Sequence, residues 1–203
     1  MIYGNFLSNN IVSRHKHTPR RSAAINPALL TADERIKSLE NHEMKPIMNL
    51  EEVEFDDVEE NGLYTSSRGQ ISDHIGAKRL GYNLTVLPPG KVQCPFHNHH
   101  GEEEMFLILE GEGELRFGDK RYPIRKHDVI ACPPGGAEVA HQIINTGTTT
   151  MRYLALSTLV DVEACEYPDS QKVLIVTGNR GERGLRKMFR AENTVDYYDR
   201  EQL

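Results

Sequence analysis

The chain has 203 residues, 38% of them hydrophobic, and a formal net charge of −6 at pH 7. That length favours one domain with an appendage, and the lean hydrophobic share supports a packed core beside some unburied tail. The negative balance argues against nucleic acid or an anionic membrane surface as a partner, and no apolar run of about 18 residues is present to span a bilayer.

In chain order, residues 1–43 read as a flexible N-terminal extension. Residues 1–32 contain no Asp or Glu but carry Arg14, Lys16, Arg20 and Arg21. No apolar stretch follows them, so they do not read as a secretory signal. Thr31-Ala-Asp-Glu34 is a capping-box pattern and predicts a short helix from about Ala32 to His42. His15 and His17 form a pair with nothing near them in sequence to fix their geometry.

Residues 44–176 have the texture of an all-β domain. Short apolar runs alternate with Gly, Pro and Asp turns. Strands are predicted at 79–87, 91–99, 104–110, 113–117, 120–125, 128–132, 141–145, 151–158 and 172–176. Gly118-Asp119 is a tight hairpin turn, and Pro88-Pro89-Gly90 and Pro133-Pro134-Gly135-Gly136 punctuate other junctions. Many short strands at regular spacing predict a sandwich or barrel. Residues 177–203 are charged and read as an irregular C-terminal tail, anchored on the barrel by Met188, Phe189 and Val195.

The three cysteines, Cys94, Cys132 and Cys165, lack CxxC spacing. They read as small buried apolar residues in a reducing, cytoplasmic setting, not as a disulfide framework or thiolate zinc site.

Four residues carry the chemistry. On a strand, side chains at i and i+2 share a face, so His97 and His99 project together. A short turn at His100-Gly101 reverses the chain and brings Glu104 back beside them. His141 opens a later strand, and barrel closure would bring it to the same place. Each of these residues alone is an ordinary polar side chain; it is their joint spacing that points to a metal. Three imidazoles and one carboxylate suit one divalent transition metal ion, namely Mn, Fe, Ni, Cu, Co or Zn, whereas Ca²⁺ or Mg²⁺ would want more oxygen ligands. His100 is expected to point away, and Glu102 and Glu103 to be solvated turn residues, Glu103 being a minor candidate acid or base. No catalytic residue stands out.

Gly90, His97-Asn98-His99, Glu104 and Gly111, followed by Pro134, Gly136, His141 and Asn145, resemble the two motifs of the cupin superfamily. The likeness covers about residues 75–158. It implies a double-stranded β-helix, a jelly-roll barrel with the metal near its centre, bound by His97, His99, Glu104 and His141. Relatives with this ligand set include dioxygenases, decarboxylases and isomerases, so the reaction class stays open between these and a non-catalytic binding or sensing protein. Three departures stand out. The Gly90-to-His97 spacing is one residue longer than usual, His127 replaces a glycine before the Asp128 turn, and the loop from Pro134 to His141 is about two residues longer.

Tyr82, Phe106 and Ile108 are expected to line the ligand cavity, the last two because they share strand parity with Glu104. The expected ligand is a small anionic molecule. Met105-Phe106-Leu107-Ile108-Leu109 is apolar on both faces, so its outer face needs a cover: residues near Val53 and Phe55, or a second subunit in a homodimer.

Overall fold

The computed structural model describes residues 45–178 and 184–201. The N-terminal extension, with the short helix expected from about Ala32 to His42, lies outside these residues. The chain forms strands β1 (Asp57–Asn61), β2 (Tyr64–Gln70), β3 (Leu80–Leu87), β4 (Asn98–His99), β5 (Glu104–Glu110), β6 (Glu112–Phe117) and β7 (Lys120–Arg125). There follow β8 (Val129–Cys132), β9 (His141–Ile144), β10 (Met151–Thr158), β11 (Val162–Tyr167), β12 (Lys172–Thr177) and β13 (Arg186–Arg190).

One sheet runs β1-β2-β3-β10-β5-β8, a second β13-β12-β11-β4 and a third β7-β6-β9. All pairings between these strands are antiparallel. A bridge between His97 and His141 joins the second and third sheets into one wall opposite the first. The result is the jelly-roll, all-β architecture that the strand pattern predicts.

Strict alternation places the core. In β10 the buried residues are Met151, Tyr153, Ala155 and Ser157, and in β5 they are Glu104, Phe106 and Ile108. With Leu87, Leu115, Ile124, Ile130, Cys132 and Ile143 they fill the barrel interior. The polar members of these two rows, Glu104 and Ser157, face each other at one end of the β5–β10 pairing. The apolar filling therefore closes one end of the barrel and leaves the other end for the site.

The outer faces of β3, β5 and β10 are covered in cis. Tyr82, Leu84, Leu109 and Leu154 pack against Met48, Leu50, Val53, Ile71 and Ile75. Val53 supplies the cover the sequence anticipated, whereas Phe55 is exposed. This cover is partial: Met105 and Leu107 of β5 and Leu156 of β10 lie outside this cluster and are half-buried.

Three predictions change. Residues 91–97 are not a regular strand; only Asn98–His99 pairs continuously, with β11. Residues 57–61, 64–70 and 162–167 are strands that the sequence pattern did not show. The C-terminal segment is only partly irregular, because Arg186–Arg190 adds β13 to the β12 edge. Met188, Phe189 and Val195 remain exposed and do not anchor it.

Candidate metal centre

His99 is held by pairing with Cys165 across β4 and β11, and His97 by mutual backbone bonds with His141. The Pro/Gly loop is pinned to the same strand: the Asn98 side chain donates to the Gly135 carbonyl at 2.8 Å, and the Gly135 N–H donates to the His99 carbonyl at 2.8 Å. Glu104 begins β5, opposite Cys132 of β8 and Ser157 of β10. Three strands thus converge: β4 with the bridged His97 just before it, β5 and β9.

The convergence is on one atom. Glu104 Oε2 lies 2.9 Å from His141 Nε2, 3.4 Å from His99 Nε2 and 3.7 Å from His97 Nε2. All four residues are buried. The other ring nitrogens show which atoms are free to ligate. His97 Nδ1 is 2.9 Å from the Pro95 carbonyl and His141 Nδ1 is 3.3 Å from the Val139 carbonyl. A carbonyl can only accept, so these Nδ1 atoms carry protons, and the Nε2 atoms aimed at Glu104 are the ones a metal ion would use in place of a proton. Both ring nitrogens of His99 are buried without a hydrogen bond.

This set fits a divalent ion. Metal–ligand bonds of about 2.0–2.1 Å at 90–109° would place donor atoms about 2.8–3.4 Å apart; the Glu104 separations from His141 and His99, 2.9 and 3.4 Å, fall in that range, and the 3.7 Å to His97 lies just beyond it. Electrostatics agree. Burial works against the charge on Glu104, but the surrounding imidazoles outweigh it and hold its carboxyl well below the usual range. Burial alone would lower the His99 imidazole; Glu104 and Glu163 overcome this and raise it to about 10. The pocket favours a positive charge, for which a proton and a metal ion compete. Among the described residues, His97, Glu104 and His141 bring one ligand atom each within 4.8 Å of one another, and His97, His99 and Cys165 form a second such grouping, so His99 stands outside the first. Burial pushes the Cys165 thiol well up, which favours the grouping with Glu104 over the thiolate.

A small cavity of about 20 Å³ opens beside the cluster, lined among others by Asn83, Gln93, Gln142, Phe106 and Tyr153. The Tyr153 hydroxyl donates to Gln93 Oε1 at 3.1 Å, and burial pushes its pKa up, so it remains a donor. Phe106 lines this cavity as expected. Ile108 sits deeper in the core. Tyr82 is corrected: it lies on the covered outer face of β3, and its neighbour Asn83 faces the cavity instead. The periodic signal misleads here, because the outer row of β3 (Leu80, Tyr82, Leu84, Val86) is more apolar than the inner row (Gly81, Asn83, Thr85, Leu87).

His100 points outward to Glu166, at 3.4 Å, as predicted. Glu103 is exposed and is not among the cavity-lining residues. Glu102 is corrected: it is buried rather than solvated. The residue that sequence reasoning missed is Glu163. Its carboxylate is buried beside His99, although it lies more than 60 positions away in the chain.

Residues 83–157 match the family profile described as a cupin domain. The chain contains a cupin domain. Over 74 residues it is 39% identical to a protein of Thermotoga maritima named oxalate-binding protein, a match spanning 36% of this chain and 58% of that one. A 72-residue match to an uncharacterized protein of Methanocaldococcus jannaschii is 33% identical and spans 54% of it. The chain therefore covers less than two thirds of the length of these curated relatives. Among solved structures, the cupin resembles an Acidithiobacillus ferrooxidans protein provisionally named a sugar phosphate isomerase. That match has 27% identity and a TM-score of 0.61, covering 83% of this chain and 95% of that one. A cupin-superfamily sugar phosphate isomerase from Silicibacter pomeroyi shares the fold at 21% identity and a TM-score of 0.63, with 76% and 98% covered.

Proposed function

We propose that this cupin holds one divalent transition metal ion through His97, His99, Glu104 and His141 and binds a small carboxylate anion at it. The observation that carries the reading is the convergence of three Nε2 atoms on Glu104 Oε2 at the edge of a cavity. A bound ion would supply Lewis acidity and an attachment point for an oxygen anion. The chain's own residues shape what enters. The enclosed space of about 20 Å³ is on the scale of one water, so the group that reaches the centre is carboxylate-sized. Among the described residues no Lys or Arg lines it, and the wall offers neutral partners: Asn83, Gln93 and the Tyr153 hydroxyl. The oxalate-binding relative supports this class of ligand.

The likeness to the Acidithiobacillus protein favours a second reading, a sugar phosphate ligand. The lack of a cation for a phosphate group and the small interior weigh against it. The Co²⁺-loaded protein separates the two. Oxalate is expected to shift its visible ligand-field bands, with the shift lost in His141→Ala, while glucose 6-phosphate leaves them unchanged. A response to the sugar phosphate alone would reverse the choice, and no response to either would mean a closed structural site.

A further inference from the structure

The three imidazoles of the cluster are not supported alike. Backbone carbonyls of Pro95 and Val139 face Nδ1 of His97 and His141. His99 Nδ1 instead has a carboxylate beside it: Glu163 Oε1 is 3.4 Å away, an ion-pair separation without hydrogen-bond geometry, and both side chains are buried. That carboxylate is itself gripped by the turn joining β4 to β5. Glu163 Oε1 accepts from the His100 N–H at 3.0 Å, and Oε2 accepts from the N–H groups of Gly101 at 3.0 Å and Glu102 at 2.8 Å. The fit is close, since a Cβ at Gly101 would meet Glu163 Oε2 at 2.8 Å. Glu163 lies on β11, outside residues 83–157 that match the cupin profile.

We propose that Glu163 is a positioning residue for the metal centre, fixing the His99 tautomer and setting the charge of the loaded site. This rests on the metal-binding reading above. Two consequences follow from chemistry. A carboxylate beside Nδ1 can only accept, so it keeps the proton there and leaves the Nε2 lone pair for the ion. It also supplies a second buried negative charge, so that a divalent ion with Glu104 and Glu163 forms a neutral unit. A neutral unit attracts an incoming anion less than a cationic one does.

Glu163→Gln separates these effects from packing, because it keeps the size and removes the charge. Its amide has one oxygen for three backbone N–H groups, and its NH₂, turned to His99, favours the proton on Nε2, the atom needed for the metal. Divalent-metal affinity, measured by chelator competition with Zn²⁺ and Co²⁺, is expected to fall about 10–100-fold. In the Zn²⁺-loaded wild type the His99 Nδ1 proton should resonate far downfield, and in the variant it should move upfield. Oxalate affinity of the fully Co²⁺-loaded variant should rise about threefold or more. A purely structural role would weaken both metal and oxalate. Glu163→Asp keeps the charge on a shorter arm. It should show metal affinity between wild type and Gln, with oxalate affinity of the loaded protein near wild type; if the Gln variant does not fold, these values carry the test.

Metal affinity within twofold of wild type and an unmoved Nδ1 proton in the folded variants would overturn the proposal while leaving the metal site intact. Weaker oxalate binding in the loaded Gln variant would overturn the charge role. A wild-type protein that takes up neither Zn²⁺ nor Co²⁺ would instead remove the metal reading, and this proposal with it.

Discussion

His127 carries a side chain through a backbone conformation that suits glycine. Its φ is +76°, and it is exposed, so no packing explains the residue. The turn around it is well tied: the His127 N–H donates to the Ile108 carbonyl at 2.8 Å, and the Asp128 carboxylate accepts from the Arg125 N–H at 2.8 Å. Histidine tolerates the left-handed region better than β-branched residues do, yet still pays for it in steric energy. We expect His127→Gly to raise stability by up to about 1 kcal/mol, the strain relief being partly offset by unfolded-chain entropy, and His127→Val to lower it by about 1–2 kcal/mol. Equal urea midpoints for the two variants would contradict the strain. This position was legible from sequence, because a glycine is usual before such a turn. The pairing of His97 with His99 was legible for a related reason, since i, i+2 spacing on extended chain survives even where 91–97 is irregular, while Glu104 was read from the short turn after them and His141 from the motif resemblance. Glu163 was not legible, since one acidic residue among 30 Asp and Glu has no local pattern when its partners are brought by barrel closure.

At the scale of elements, the one-residue link that carries the chain from β5 in one sheet to β6 in another depends on Gly111. Its φ is +81°, and an added Cβ would meet the Thr150 carbonyl oxygen and Met151 Cα, both at 2.9 Å. Those atoms are backbone at the start of β10, the strand that pairs with β5, so neither can swing aside. Gly111→Ala should therefore cost about 2–4 kcal/mol through conformation and contact together. For a chain of this size that corresponds to a fall in thermal midpoint of about 4–16 °C. A midpoint within a degree of wild type would show that the link adjusts freely. β10 was revealed by its period-2 alternation of apolar residues, whereas β11 buries every second residue too but escaped because its inward row opens with Glu163. β1, Asp57–Asn61, escaped because it is an acidic edge with almost no buried side chain. β2, Tyr64–Gln70, escaped because its buried positions are Ser66, Arg68 and Gly69, which carry no apolar signal. Polar burial of this kind becomes readable only once partners are known: here the Arg68 guanidinium donates to Asp57 across the β1–β2 pair.

For the whole molecule, metal binding and folding should be one linked equilibrium. The four proposed ligands come from the turn at residue 97 and from β4, β5 and β9, which are brought together only when the sheets close. The unfolded chain has His97, His99 and Glu104 near one another but holds His141 more than 35 residues away from them. An ion that binds the native state and not the unfolded chain stabilises by RT ln(1 + [L]/Kd), about 2.7 kcal/mol at a hundredfold excess over Kd. The thermal midpoint should then rise by about 5–10 °C on adding Zn²⁺, Co²⁺ or Mn²⁺ to metal-stripped protein. The rise should continue logarithmically with concentration and reverse with chelator. His141→Ala separates this from nonspecific ion effects. Removing that imidazole leaves Glu104 without its nearest partner, at 2.9 Å, so the metal-free variant is itself less stable than metal-free wild type, and added metal should no longer restore the difference. His15→Ala with His17→Ala should keep the full metal-induced rise. Equal rises in wild type and His141→Ala would place the ion elsewhere and refute the four-residue centre.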